Sequence, residues 1–104
     1  MKRRVCNIKR NNILNIKDLD QATRKKVRNE ENGLFTNTFI IDGKTAYGYG
    51  DDGKSHILDA ISVDSAARFI WHIDKDGYVV TDNVITPYGR KLHMEELVMG
   101  MFDI

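Results

Sequence analysis

This sequence has little of the residues that cross-link or interrupt a small fold, with one cysteine and one proline in 104 residues. The single cysteine, Cys6, excludes an internal disulfide, which fits a reducing compartment. No apolar run approaches the roughly 18 residues of a membrane span. The charged residues at the start are followed by no apolar segment, so no signal peptide is predicted. We therefore expect a cytoplasmic protein of one domain's length, without membrane contact.

The charge is nearly balanced in total, at +1, but unevenly distributed along the chain. Residues 1–28 hold ten of the sixteen Lys and Arg residues and only two of the fifteen Asp and Glu residues. Residues 29–104 are correspondingly acidic. One interpretation is a basic arm that meets a polyanion and a body that repels one. The other is that arm and body pair with each other, and the sequence leaves both open.

The clearest local pattern is a β-hairpin over residues 71–81. Apolar and polar residues alternate on both sides of Asp74–Gly77, a segment with the residue types of a tight turn. The only tryptophan, Trp71, begins the hairpin and is expected to be its main buried side chain. The same alternation places Tyr78 on the side of Val80. Residues 91–93 are predicted to add a third strand.

The segments before the hairpin predict a basic helix and a second small sheet. Residues 1–12 look like an arm, and a helix is expected between an Asp18 N-cap and a stop at Asn32 and Gly33. Alternating apolar residues from 35 to 58, interrupted by Gly-containing turns, predict a three-stranded meander.

Two further helices complete the predicted fold. Ser62 is a candidate N-cap for a short middle helix, and residues 94–99 are predicted to form a closing helix. The expected class is α+β: small antiparallel sheets, a meander plus a three-stranded hairpin unit, with an N-terminal basic helix, a short middle helix and a C-terminal helix. Residues 1–33 are expected to form the basic N-terminal arm and helix, and residues 34–104 the α+β body.

No residue set predicts catalysis or metal binding. The three histidines and Cys6 lack the close pairs of a zinc site, and each histidine is expected on a strand surface. The run from His72 to Asn83 departs from a calcium loop at its first and twelfth positions. We therefore predict no enzyme, no metal site and no cofactor.

The segment from Phe39 to Gly100 resembles the region upstream of the catalytic motif in phage and mobile-element HNH homing endonucleases. The residues that carry the resemblance are the Trp71–Thr81 hairpin, Asp59 before it, and Leu97-Val98-Met99-Gly100 after it. The family's three-strands-plus-helix unit is similar to the ethylene-response type of DNA-binding domain, which lays its sheet in the major groove. The resemblance covers about 60% of the chain and implies a phage-type protein in a bacterial host.

The sequence departs from this family at two places. Glu95 and Glu96 stand where the family has His-Arg, so two groups suited to phosphate are replaced by two that repel it. The sequence ends at Ile104, before the family's metal-binding core would begin, which predicts a non-nuclease.

Two classes of function follow. The first is an inhibitor of a nucleic-acid-guided nuclease, similar to anti-CRISPR proteins, that binds the effector or its guide RNA. Its acidic body would occupy a basic channel, and its basic segment would touch RNA or an acidic patch on the same partner. The second is a DNA-binding module that keeps the family's sheet without its nuclease. The residues expected to contact the partner or nucleic acid are Arg24, Lys25, Lys26, Arg28, Lys75, Arg90, Lys91, Glu95 and Glu96.

Overall fold

A computed structural model describes residues 11–85, 89 and 91–99 of the chain. It confirms the α+β class, with a four-stranded sheet (sheet A, β1 to β4) and a three-stranded sheet (sheet B, β5 to β7). The strands are β1 Asn12–Asn15, β2 Thr38–Asp42, β3 Thr45–Tyr49, β4 Ser55–Asp59, β5 Trp71–Ile73, β6 Val79–Ile85 and β7 Lys91–His93. The α-helices are α1 Gln21–Arg28, α2 Val63–Ala66 and α3 Met94–Val98, with 3-10 turns at Ile16–Asp18 and Ala60–Ser62.

Sheet A contains the predicted antiparallel meander, β2-β3-β4. The β2–β3 turn has Gly43 at φ 65° as the first of its two loop residues, a conformation that favours glycine. The sequence patterns did not predict β1, which pairs in parallel with β2, Asn12 opposite Thr38. The sheet is therefore mixed, and its first strand comes from residues 1–33, which were expected to form only a basic arm and a helix.

Sheet B has the predicted hairpin, and its strands lie in the order β5-β6-β7, all antiparallel. The hairpin turn closes as its residue types suggest, because the Asp74 carboxylate accepts hydrogen bonds from the N–H groups of Asp76 and Tyr78, each at 2.9 Å. The alternation was misleading at Tyr78, whose side chain is 46% exposed. Among the described residues, no helix is long and apolar enough to cross a membrane.

The expected ends of helix α1 need correction. Its N-cap is Asp20, whose carboxylate accepts the N–H of Thr23 at 2.7 Å, whereas Asp18 ends a preceding 3-10 turn. The helix ends at Arg28, with Asn29 as its C-cap, before the expected stop. Ser62 does precede α2, but its hydroxyl makes no capping hydrogen bond.

The main core lies between the two sheets and under α2 and α3. Trp71 is 1% exposed, as expected, and its indole N–H donates to the carbonyl of Ala66 at 2.7 Å. Phe69 meets the Trp71 ring edge-on, with centroids 6.0 Å apart. The other buried members are Phe39, Ala46, Leu58, Val63, Ala66, Leu92, Met94 and Leu97. This core joins sheet B to one face of sheet A.

A second apolar cluster covers the opposite face of sheet A. Val27 of α1 and Ile16 pack there against Ile40 and Tyr49. Because Ile40 lies between Phe39 and Ile41, which pack on the main core, strand alternation puts the two clusters on opposite faces. Helix α1 is thus held on the sheet by its one buried side chain, Val27.

Candidate functional site

The four predicted basic residues of α1 form its outer surface, named here the basic face: Arg24, Lys25, Lys26 and Arg28. The helix carries no acidic residue in its first turn beyond the Asp20 cap, and only Val27 is turned fully inward. The residues Gln21, Arg24, Lys25, Arg28 and Asn29 surround a shallow depression on this side. The spacing of these positions, three and four residues apart, is what brings them to one side of the helix.

The two arginines of the basic face are held by the fold. Arg24 donates from Nε to the carbonyl of Leu19 and from Nη2 to that of Lys17, both at 2.8 Å. Arg28 makes a two-point ion pair with Asp42 at the end of β2, at 3.0 and 3.2 Å. This carboxylate raises the pKa of the Arg28 guanidinium, which is charged in any case. Both arginines therefore also serve to position the helix.

Lys25 and Lys26 are exposed, and neither forms an ion pair with another described residue. Of the alternative interpretation, in which arm and body pair with each other, the described part of the chain shows one ion pair, Arg28 with Asp42. The two lysines are the positive groups of α1 most open to an external anion.

Acidic side chains are exposed on sheet B, its hairpin turn and α3, which pack on the face of sheet A opposite α1, and at the end of β4. We name as the acidic surface the exposed or half-exposed carboxylates Asp59, Asp74, Asp76, Asp82 and Glu95. The N–H bonds from Tyr78 and Asp76 lower the pKa of Asp74, so it carries its charge well into the acid range. Lys91 contacts Asp82 at 2.7 Å and lowers the pKa of that carboxyl.

An open groove of about 440 Å³ lies within the acidic surface, between β4 and the sheet B turn. Its floor and walls include the ring of Tyr78, stacked on that of His93 with centroids 4.6 Å apart. The groove is also lined by Asp59, Glu95 and Ile57, and Ile57 is 51% exposed. Asp59 and Ile57 were not among the surface residues that the sequence patterns predicted. Their alternation with Leu58 in β4 was the available signal.

Glu96 requires a correction. It was expected beside Glu95 as a partner contact, but it is only 5% exposed and accepts the N–H of His93 at 3.0 Å. Its carboxylate therefore caps its own helix. Glu95, one position earlier, is exposed and lies 3.7 Å from Nδ1 of His93.

The remaining predicted contacts fall in different places. Lys75 is exposed in the sheet B turn, beside acidic residues rather than near the basic face. Lys91 lies on β7, paired with Asp82. Arg90 lies outside the described residues. The structure thus brings Lys75, Lys91 and Glu95 to the sheet B side, and the four α1 residues to the opposite side of sheet A.

His56 was expected on a strand surface, but it is buried in the main core. Burial lowers its pKa from 6.5 to about 4, so the imidazole is neutral near pH 7. Among the described residues neither ring nitrogen has a hydrogen-bond partner. Over the same residues, no group of three or more His, Cys, Asp or Glu side chains is arranged to hold a metal ion.

Comparisons of this chain with protein-family models, curated proteins and solved structures give no match. The likeness to HNH homing endonucleases therefore remains an expectation carried by the residues themselves.

Proposed function

We propose that this chain is a non-enzymatic binding protein that acts on a nucleic-acid-guided nuclease of a bacterial host, as anti-CRISPR inhibitors do. The acidic surface would occupy a basic channel of the effector, with carboxylates where phosphates otherwise lie. The basic face would contact the backbone of the guide RNA. The observation that carries the proposal is that Asp74, Asp76, Asp82 and Glu95 lie on sheet B, its hairpin turn and α3, which pack on one face of sheet A, whereas the basic helix α1 packs on the opposite face.

This separation matters because opposite charges on one surface would largely cancel for a distant partner. Ionic strength near 0.15 M screens exposed charges beyond about 8 Å. A basic face and an acidic surface that lie apart can each steer a different partner surface, and a complex of protein and RNA offers both signs of charge. The resemblance to phage and mobile-element proteins supports the nuclease as the specific partner.

A second candidate is a DNA-binding module. It is favoured by the arrangement of β5, β6 and β7, which is antiparallel throughout and runs directly into α3, as the ethylene-response resemblance implies. The acidic surface opposes it, because each carboxylate near a phosphate weakens the counterion-release contribution to binding.

A pull-down from bacterial lysate, with and without nuclease digestion, tests the proposal. We expect one protein to remain bound after digestion, and Glu95→Lys to weaken its recovery. Glu31→Lys is the matched control, because it changes the net charge equally at an exposed position beyond α1. Recovery of DNA alone, with duplex binding strengthened by Glu95→Lys, would instead establish the second candidate.

The basic face has its own test in the same assay. Lys25→Glu with Lys26→Glu should reduce the RNA retained with the complex and lower the salt dependence of its binding. Lys44→Glu, at the exposed β2–β3 turn, is the single-charge control. Unchanged RNA retention in the double variant would remove the basic face from the proposal.

A further inference from the structure

We propose that the outer edge of β4 receives an extended segment of a partner protein, which adds a strand to sheet A beside the groove. The starting observation is that β4 is an edge strand, hydrogen-bonded among the described strands only to β3. Strand addition at such an edge is a common way to bind peptides, because the backbone groups are already aligned.

The hydrogen-bond pattern identifies which backbone groups of β4 are available. Ala60 N–H donates to the carbonyl of Lys44, and this pair fixes the alternation along the β3–β4 ladder. Hydrogen-bonded residues alternate along a strand. Leu58 and His56, two and four residues before Ala60, therefore also direct their N–H and C=O groups toward β3. Ile57 and Asp59 therefore direct their N–H groups outward.

The first residue of β4 supports this alternation. Ser55 belongs to the outward set, and its N–H donates to the side chain of Asn32 at 2.8 Å instead of to β3. No described group takes the corresponding N–H of Ile57 or Asp59. Two outward donors thus remain at the part of the strand that borders the groove.

The chemistry of the groove indicates the occupant. Its lining has the carboxylates of Asp59 and Glu95, the stacked rings of Tyr78 and His93, and no lysine or arginine among the described residues. A strand with alternating side chains would place one set over the apolar floor and cationic groups near the carboxylates. The segment it fits is therefore extended, alternating apolar and basic, and without proline at the paired positions.

This inference deepens the proposed function, on which it rests for the partner being a protein. The probe is a blocked synthetic hexapeptide of alternating valine and lysine, titrated into the ¹⁵N-labelled full chain. We expect the amide signals of Ile57 and Asp59 to shift and to become protected from exchange. A peptide N-methylated at its paired positions, with charge unchanged, should bind about tenfold more weakly, the loss expected for roughly one net hydrogen bond.

Two variants at position 57 distinguish the contribution of the backbone N–H to peptide binding from that of the side chain. Ile57→Pro removes one outward N–H without removing a bond to β3, and proline is tolerated on edge strands. It should weaken peptide binding about tenfold, whereas Ile57→Val should bind as the unchanged chain does. If Ile57→Pro fails to fold, the N-methylated peptide carries the same comparison on the unaltered protein.

Several results would overturn the inference. If the N-methylated peptide bound as tightly as the unmethylated one, backbone hydrogen bonds would contribute nothing and the binding would depend on charge alone. Protection of Ile57 and Asp59 without peptide would mean that another part of this chain covers the edge, and concentration-dependent dimers with the same protection would assign it to a second copy. The proposed function fails separately, through the lysate experiment, and peptide binding by the edge would survive that failure.

Discussion

The ring of His56 lies directly against the backbone of Gly48, its neighbour across β3 and β4. A Cβ atom at position 48 would come 2.3 Å from Nε2 of that ring, well inside any real contact. The absent side chain of Gly48 is therefore the space that His56 occupies. The two residues therefore pack as a pair, and a larger residue at position 48 would displace the His56 ring.

Gly48→Ala should destabilise the protein by about 1–3 kcal/mol, because the buried ring must move to admit a methyl group. In a His56→Ala background the same change should be neutral, or stabilising by up to about 1 kcal/mol, since alanine restricts the unfolded chain. Urea unfolding of the four chains in this cycle measures the coupling. If the effects of Gly48→Ala and His56→Ala were additive, the His56 ring would not be the cause of the destabilisation by Gly48→Ala.

Stability should fall between pH 6.5 and pH 4 because of His56. The unfolded chain takes up a proton near the ordinary pKa of 6.5, whereas the buried imidazole resists it until about 4. The unfolded state therefore binds more protons in this window, and stability decreases as the pH decreases, by about 3 kcal/mol in total. Thermal melts at a series of pH values measure this slope.

His56→Phe is the control for that pH dependence, because it keeps a planar ring over Gly48 and cannot titrate. Its stability should be nearly flat across the same window. The carboxyls of Asp20, Asp74 and Asp82 all have pKa values lowered below 3.8, so their contributions are lost only at lower pH. A slope in His56→Phe equal to that of the unchanged chain would contradict the assignment.

Trp71→Ala should cost about 3–5 kcal/mol, enough to unfold much of a domain of this size. Trp71→Phe keeps an aromatic ring but loses the hydrogen bond to the Ala66 carbonyl, and we expect a cost of about 1–2 kcal/mol. Circular dichroism during urea unfolding compares the variants without using tryptophan emission. A folded and stable Trp71→Ala protein would contradict the packing described for the main core.

Neighbouring glutamates in α3 should respond differently to truncation. Glu96→Ala removes the acceptor for the His93 N–H and should cost about 1–2 kcal/mol. Glu95→Ala should change stability by less than about 0.5 kcal/mol, as expected for an exposed surface position. Unfolding free energies of the two variants make the comparison. An equal loss in both would mean that Glu95 also supports the fold.

The sequence predicted those parts of the fold that depend on near neighbours along the chain. The Asp74–Gly77 turn and the Gly43 loop are specified by residue types that favour a single backbone shape, and the hairpins follow from them. The basic composition of α1 was equally visible. These features need no information about distant segments.

The missed features depend on contacts between distant segments. Strand β1 has no alternation of its own and forms a strand because β2 offers it a free edge. His56 is polar by residue type, yet its position opposite Gly48 puts it in the core. Glu96 differs from Glu95 only in the side of α3 it occupies. Local sequence pattern cannot tell which of these positions are buried or form a strand, because tertiary packing overrides local preference.

The parallel pairing of β1 with β2 also has a consequence for the order of folding. The β2–β3–β4 meander joins strands close in sequence, whereas Asn12 must find Thr38 across the whole of α1. Contacts of long sequence separation form late, because the intervening loop must be closed first. We therefore predict that destabilising β1, for example with Leu14→Ala, speeds unfolding and leaves the refolding rate nearly unchanged in stopped-flow experiments. The first of the four strands in chain order would then be the last to take its place in sheet A.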